Sequence, residues 1–218
     1  MKAEFWLERW EQNQIGFHQD EFNNHLQAFW SGLAVPAGSR VFVPLCGKSR
    51  DMLWLRAQGF MVTGVEVSPI AVRDFFAENG LDVTISSQGK LERWESDGLV
   101  ILLGDFFDLQ AEDVADCSAV FDRASLIALP PDMRLRYAQH FISSLPTHAQ
   151  TLLVTLEYAQ AEMKGPPFAV GEEEIQGYYA QAFALERLFV TDVLAENPGF
   201  RQRGLTRLEE KVYRLTPA

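Results

Sequence analysis

Cysteine is nearly absent. The 218-residue chain has two, Cys46 and Cys117, too few for a disulfide framework or a zinc site. That usage fits a reducing compartment. Long apolar runs are missing too, and nothing approaches the roughly 20 residues that span a bilayer. The N-terminus turns acidic at Glu4 and carries no apolar core of signal-peptide length. A soluble, cytoplasmic protein is the expectation. Basic charge is in deficit, with 19 Lys and Arg against 30 Asp and Glu and a net charge of −11. Such a field repels polyanions, so nucleic acid is excluded as a partner. Repeats and low-complexity tracts are absent. His25, His140 and His148 show no metal spacing, so no metal is expected.

Glycine is scarce where one class of fold most needs it. Residues 40–66 read as strand, turn, helix and strand. Val41, Phe42 and Val43 suit a buried parallel strand. Pro44 to Ser49 break it, and Ser49 or Asp51 can cap a helix that ends before Gly59. A second apolar strand over residues 60–65 ends in the carboxylate of Glu66. This is half of a nucleotide-type βαβ unit, with about twenty residues from turn to acid. Only Gly47 lies in the turn, so the glycine fingerprint for a pyrophosphate is missing. Gly47-Lys48-Ser49 also imitates the end of a phosphate-binding loop. That loop needs a glycine where Phe42 stands, inside the strand, so the nucleotidase reading fails.

What is present is a regular alternation. Residues 1–33 hold seven aromatic residues, among them Trp6, Trp10, Phe17 and Trp30, on a short helix, a loop and a second helix starting at Asp20. They read as a cover over the sheet, its loop closing on a flat ligand. Residues 34–218 form the core of the same single domain. Strands are expected at residues 81–86, 99–103, 119–121 and 151–156. Residues 89–98 read as a polar excursion. Pro130-Pro131-Asp132 opens a helix with Leu135, Tyr137, Ala138, Phe141 and Ile142 inward. Strands at 188–193 and 211–215, joined by a loop without a helix, form an antiparallel edge pair. The fold class is α/β, a doubly wound, mostly parallel sheet of about seven strands.

Ligands of such sheets sit beyond the carboxyl ends of the strands. Those ends carry Leu45, Cys46 and Gly47, then Glu66, then Asp105-Phe106, then Asp122-Arg123. Glu66 suits two ribose hydroxyls. Asp105 and Phe106 suit an adenine amino group and ring face. The set describes a nucleoside without a phosphate, as in methyltransferases that use S-adenosylmethionine. Cys46 reads as a small turn residue, because no partner base is readable nearby.

The same residues carry a closer resemblance. Phe5 to Trp10 with Gly16-Phe17-His18, Val41-Phe42-Val43-Pro44-Leu45-Cys46-Gly47-Lys48, Gly64-Val65-Glu66, Phe106-Phe107-Asp108-Leu109, Asp122-Arg123-Ala124-Ser125-Leu126, Gly165-Pro166-Pro167-Phe168 and Glu210-Lys211-Val212-Tyr213 follow one another in order. Together they resemble the bacterial branch of the thiopurine S-methyltransferase family over nearly the whole chain. The resemblance implies methyl transfer from S-adenosylmethionine to the sulfur of an aromatic or heterocyclic thiol, leaving S-adenosylhomocysteine. It places Trp10, Leu45, Gly47, Glu66, Asp105, Phe106 and Arg123 around the cofactor, and Phe17 and Arg123 around the substrate. Arg123 and Asp122 are the catalytic candidates, Arg123 for a thiolate and Asp122 for a proton or for positioning Arg123. Relatives have a basic substrate residue near positions 197–200; here Gly199 stands there, with Arg201 and Arg203 beyond. A monomer acting on a small thiol is expected. Two alternatives remain open: methylation of another soft nucleophile, such as a selenium or tellurium species or a small aliphatic thiol, and a silent S-adenosylmethionine-binding module.

Overall fold

The computed structural model describes residues 3–218. The chain opens with α1 (Ala3–Glu11) and α2 (Asn24–Phe29), then β1 (Arg40–Val43), α3 (Asp51–Ala57), β2 (Met61–Glu66) and α4 (Pro69–Glu78). Next come β3 (Thr84–Gln88), β4 (Leu91–Ser96), β5 (Leu99–Leu103), β6 (Cys117–Arg123), α5 (Ser125–Ala128) and α6 (Pro131–Ser144). The chain ends with β7 (Gln150–Glu157), α7 (Glu172–Tyr179), β8 (Phe183–Asp192), α8 (Pro198–Gln202) and β9 (Glu209–Pro217).

One sheet runs β3-β4-β5-β2-β1-β6-β7-β9-β8. The five central strands, β5 to β7 in that order, pair in parallel. Both flanks are antiparallel. The sheet therefore has nine strands where about seven were expected. Eight of them fall on or beside spans read as strands in the sequence; the ninth is β4, inside the stretch read as a polar excursion. Its sequence, Leu-Glu-Arg-Trp-Glu-Ser, is charged because one flank of the sheet lies near solvent, yet Leu91 is buried and Trp94 stacks on Phe76.

Alternation along β1 divides the core. Val41 and Val43 pack with Leu26, Trp30, Met52 and Phe75 on one face. Phe42 packs with Leu102, Phe106, Tyr137 and Phe141 on the other. Helices cover both faces, as a buried parallel sheet requires.

Several local expectations need correction. The second helix begins at Asn24, not Asp20, because the Asn23 side chain accepts from the His25 and Leu26 N–H groups. Neither Ser49 nor Asp51 occupies the N-cap of α3; Arg50 does, without a side-chain bond. On α6, Leu135 is exposed and Arg134 is the buried residue. Its guanidinium binds Leu129 O at 2.9 Å and Glu174 at 2.6 Å, which satisfies its charge indoors. The connection between the last two strands includes the short helix α8.

Candidate active site

The chain enters the sheet at its middle. β1 pairs with β2 on one side and with β6 on the other, so the connections leave in opposite directions. A crevice forms at that switch point. It holds a cavity of about 710 Å³, within the range of small-molecule sites.

The floor is the turn after β1. Leu45 and Gly47 both have left-handed backbones, with φ of +45° and +54°. Gly47 meets that demand freely, whereas Leu45 carries a cost on the order of 1–2 kcal/mol. Across the seam, Ala124 after β6 is also left-handed, with φ of +67°. Ser125 Oγ donates to Pro44 O at 3.2 Å and ties the two turns together. Strained backbone thus sits at the tips of two adjacent strands, and both tips line the cavity.

Glu66 forms one wall and is 6% exposed. Its Oε2 accepts from Gly47 N at 2.8 Å and its Oε1 from Ser68 N at 2.7 Å. Burial pushes its carboxyl up, and these two N–H groups pull it part of the way back. Beside it, burial and then the Glu66 charge push the Cys46 thiol well up. Cys46 stays protonated and fills the turn against Gly64, where an added Cβ would fall 2.7 Å from its sulfur.

Arg123 enters from the tip of β6. Phe121 and Arg123 share the cavity face of that strand, and Asp122 points the other way. Asp122 is buried, accepts from Tyr137 Oη at 2.9 Å, and does not line the cavity. Burial raises its carboxyl to about 6, against the opposing hydrogen bonds of Ser125 and Tyr137.

Aromatic rings close the top. Trp10 is buried, and a Cβ on Gly47 would stand 3.4 Å from its ring. Phe17 meets both Trp10 and Trp6 edge-on at 5.6 Å and leaves 41% of itself exposed at the mouth. His18 also lines the cavity; burial and the charge of Lys48 lower its pKa.

Trp10, Phe17, Leu45, Gly47, Glu66 and Arg123 therefore converge on one space. Asp105 and Phe106 are not among its lining residues. Asp105 instead caps a short turn by accepting from Phe107 N at 2.9 Å. Phe106 is buried, stacked on Tyr137 with ring centroids 4.7 Å apart. Of the two late arginines, Arg203 lines the cavity, stacked on Phe200 and bonded to Pro166 O. Arg201 is not among the lining residues.

Other lining residues escaped the reading of the sequence. Asp51 was noticed only as a helix cap. Thr155 sits on β7 with a buried hydroxyl that has no hydrogen-bond partner among the described residues. Position alone offered a hint, since Thr155 lies near the carboxyl end of the strand that pairs with Arg123. Glu210 entered only within the Glu210-Lys211-Val212-Tyr213 resemblance, with no role attached, because it reaches the cavity through an antiparallel strand running back from the far end of the chain.

The family described as Thiopurine S-methyltransferase (TPMT) matches residues 1–218. The chain belongs to that family. It is 53% identical over 215 residues to a thiopurine S-methyltransferase of Pseudomonas aeruginosa, covering 99% of both chains. It is 51% identical over 215 residues to one of Nitrosospira multiformis, covering 99% of this chain and 98% of the relative. Among solved structures, it resembles the 1,6-didemethyltoxoflavin-N1-methyltransferase of Burkholderia thailandensis, determined with bound 1,6-didemethyltoxoflavin and S-adenosylhomocysteine. The TM-score is 0.65 at 15% identity, over 98% of this chain and 87% of that one. A TehB-like SAM-dependent methyltransferase of Corynebacterium glutamicum gives 0.58 at 15% identity, over 99% and 98%. At those identities the structural likeness speaks for the fold.

Proposed function

We propose that this chain moves the methyl group of S-adenosylmethionine to the sulfur of aromatic or heterocyclic thiols such as thiopurines, releasing S-adenosylhomocysteine. The observation that carries the reading is the meeting of Glu66, the Leu45–Gly47 turn and Arg123 in one crevice closed by Trp10 and Phe17.

The residues fit the donor. A buried carboxylate on the wall suits ribose hydroxyls, and the turn is too poor in glycine to cradle phosphates. When bound, S-adenosylmethionine supplies an activated methyl on a positively charged sulfur, a good leaving group. The protein's part is then positioning and electrostatics. Arg123 faces the crevice with a charge that attracts and orients a thiolate. Trp10 and Phe17 present ring surfaces to a flat heterocycle and exclude water from the mouth. Arg203, at the cavity wall, adds a second cation for an anionic acceptor. A thiol acidic enough to bind as its anion needs no strong base. Asp122, turned away from Arg123 and towards Tyr137, is read as a structural carboxylate that anchors the tip of β6.

Residues 1–33 act as the lid and residues 34–218 as the core of a single domain. The protein works as a cytoplasmic monomer on a small-molecule thiol, with neither nucleic acid nor membrane as partner. Its acidic balance supports that reading.

Calorimetry of S-adenosylhomocysteine binding, followed by an acceptor screen with labelled S-adenosylmethionine, tests the proposal. Thiopurines, thiophenols, small aliphatic thiols and selenium species form the panel. Micromolar product binding with turnover of the aromatic thiols is expected. Binding without turnover of any acceptor overturns it.

A further inference from the structure

Asp51 lines the crevice, yet it is 2% exposed. Its carboxylate meets three separate parts of the chain. Oδ1 accepts from the backbone N–H of Asn23 at 2.7 Å. Oδ2 accepts from Ser49 Oγ at 3.0 Å. The same Oδ2 faces Arg123 Nη1 at 3.8 Å, within ion-pair distance. Ser49 belongs to the turn after β1. Asn23 caps α2, where the N-terminal cover rejoins the sheet. Arg123 is one of the cations that line the crevice.

Neighbouring contacts reinforce this junction. Arg50, one residue earlier, donates to Asp20 O at 2.7 Å and lies over the Phe22 ring. The end of the loop that carries Phe17 and His18 is therefore fastened to the start of α3. Asp51 holds the cover with Oδ1, while Oδ2 takes the Ser49 hydroxyl and faces the guanidinium at ion-pair distance. A buried carboxylate also holds its charge near Arg123 with little screening by solvent.

We propose that Asp51 is a positioning residue that fixes the Arg123 guanidinium and the N-terminal cover relative to each other. It touches no reacting atom. It sets the direction of Arg123 when the cover is seated, so that the anion-binding charge and the aromatic roof arrive together. This role rests on the reading of Arg123 as the residue that meets the ligands.

The test uses Asp51→Asn in the full chain. The amide keeps an oxygen for the Asn23 N–H and loses the charge facing Arg123. With a thiopurine acceptor, kcat is expected to fall about tenfold while S-adenosylhomocysteine affinity stays within threefold and the thermal midpoint within a few degrees. In an Arg123→Gln background the same change is expected to cost less than twofold, because its target has gone. A merely structural role moves both backgrounds equally. Unchanged kcat, or an equal loss in both backgrounds, overturns the proposal. A second readout does not depend on methyl transfer. S-Adenosylhomocysteine is expected to slow hydrogen exchange of the Asn23 amide in the parent and not in Asp51→Asn, whereas equal slowing in both overturns the coupling. A parent that binds S-adenosylhomocysteine but methylates nothing refutes the thiol reading, and the exchange experiment still decides the role of Asp51.

Discussion

Replacing Asp122 by Asn separates a catalytic from a structural carboxylate. Asp122 is buried against Tyr137, and its carboxyl is raised from the usual 3.8 to about 6. A carboxyl raised in the folded state binds more protons there than in the unfolded chain. Its contribution to stability is fully present below about pH 4 and is lost as pH rises past about 6. At pH 8 the ionised group costs on the order of 2 kcal/mol relative to pH 4, where the unfolded chain has already begun to ionise. The amide of Asp122→Asn has about the same shape, still accepts from Tyr137 and does not titrate. The stability gap between variant and parent should therefore shift by about 2 kcal/mol in favour of the variant between pH 4 and pH 8. For a chain of this length that equals roughly 4–8 °C in melting temperature. Urea denaturation of both proteins at the two pH values reads the difference, and constant terms such as an imperfect amide bond cancel. A gap that stays the same at both pH values refutes the reasoning. The pH–rate profile gives a second check. Asp122 does not line the cavity, so the variant should keep the limbs of the parental profile. Loss of a limb near pH 6 would show that Asp122 handles the proton after all.

Glu66→Ala should weaken S-adenosylhomocysteine binding by about 1–3 kcal/mol, roughly 5- to 150-fold, through lost hydrogen bonds to a charged group. Unchanged affinity by calorimetry rules out the ribose role. Gly64→Ala should destabilise the fold by about 1–3 kcal/mol, because the new methyl lands 2.7 Å from Cys46 Sγ and 3.1 Å from Met52 Sδ. Cys46→Ala should recover part of that loss, and no recovery in urea melts means the clash is not the cause. Deleting residues 1–20 removes Trp10 and Phe17 but spares Asn23. A folded protein with kcat/KM at least tenfold lower is expected, and full activity would show that the cover has no catalytic part.

Much of the central sheet was legible because its chemistry is local. A run such as Val41-Phe42-Val43 followed by Pro44 specifies a buried strand and its end without reference to anything distant. Glu66 stood out for the same reason, as a charge ending an apolar strand. The flanks were less legible. Leu91 to Ser96 alternates weakly and carries three charges, so only its pairing with the strands on either side identifies it as β4. Composition misled on α6 as well. Arg134 goes inside because Glu174, 40 residues away, comes to meet it, and Leu135 is left in solvent. Within the site, Asp51 was hidden by its own plausibility as a helix cap. Its partners Asn23 and Arg123 are far off in sequence, and only the fold brings them together. Asp105 and Phe106 show the reverse. Their place after β5 suggested a ligand role; in the folded chain Asp105 caps a turn with one oxygen and Phe106 stacks on Tyr137, contacts that their spacing did not foretell.

The seam between β1 and β6 has a consequence in time. Strands β1, β2 and β5 can pair as soon as residue 103 has emerged from the ribosome, but β1 waits for Cys117 to gain its second neighbour. That point lies 74 residues after Val43, since 117 − 43 = 74, or roughly 4–15 s of synthesis. The ion pair of Asp51 with Arg123 and the bond from Ser125 to Pro44 both bridge this late seam. The nascent chain thus carries Glu66 and the turn after β1 for seconds before it owns a pocket. A ligand that needs Arg123 cannot stabilise that early half, so mutations that slow the docking of β6 should lower the yield of active protein even when the finished fold is sound.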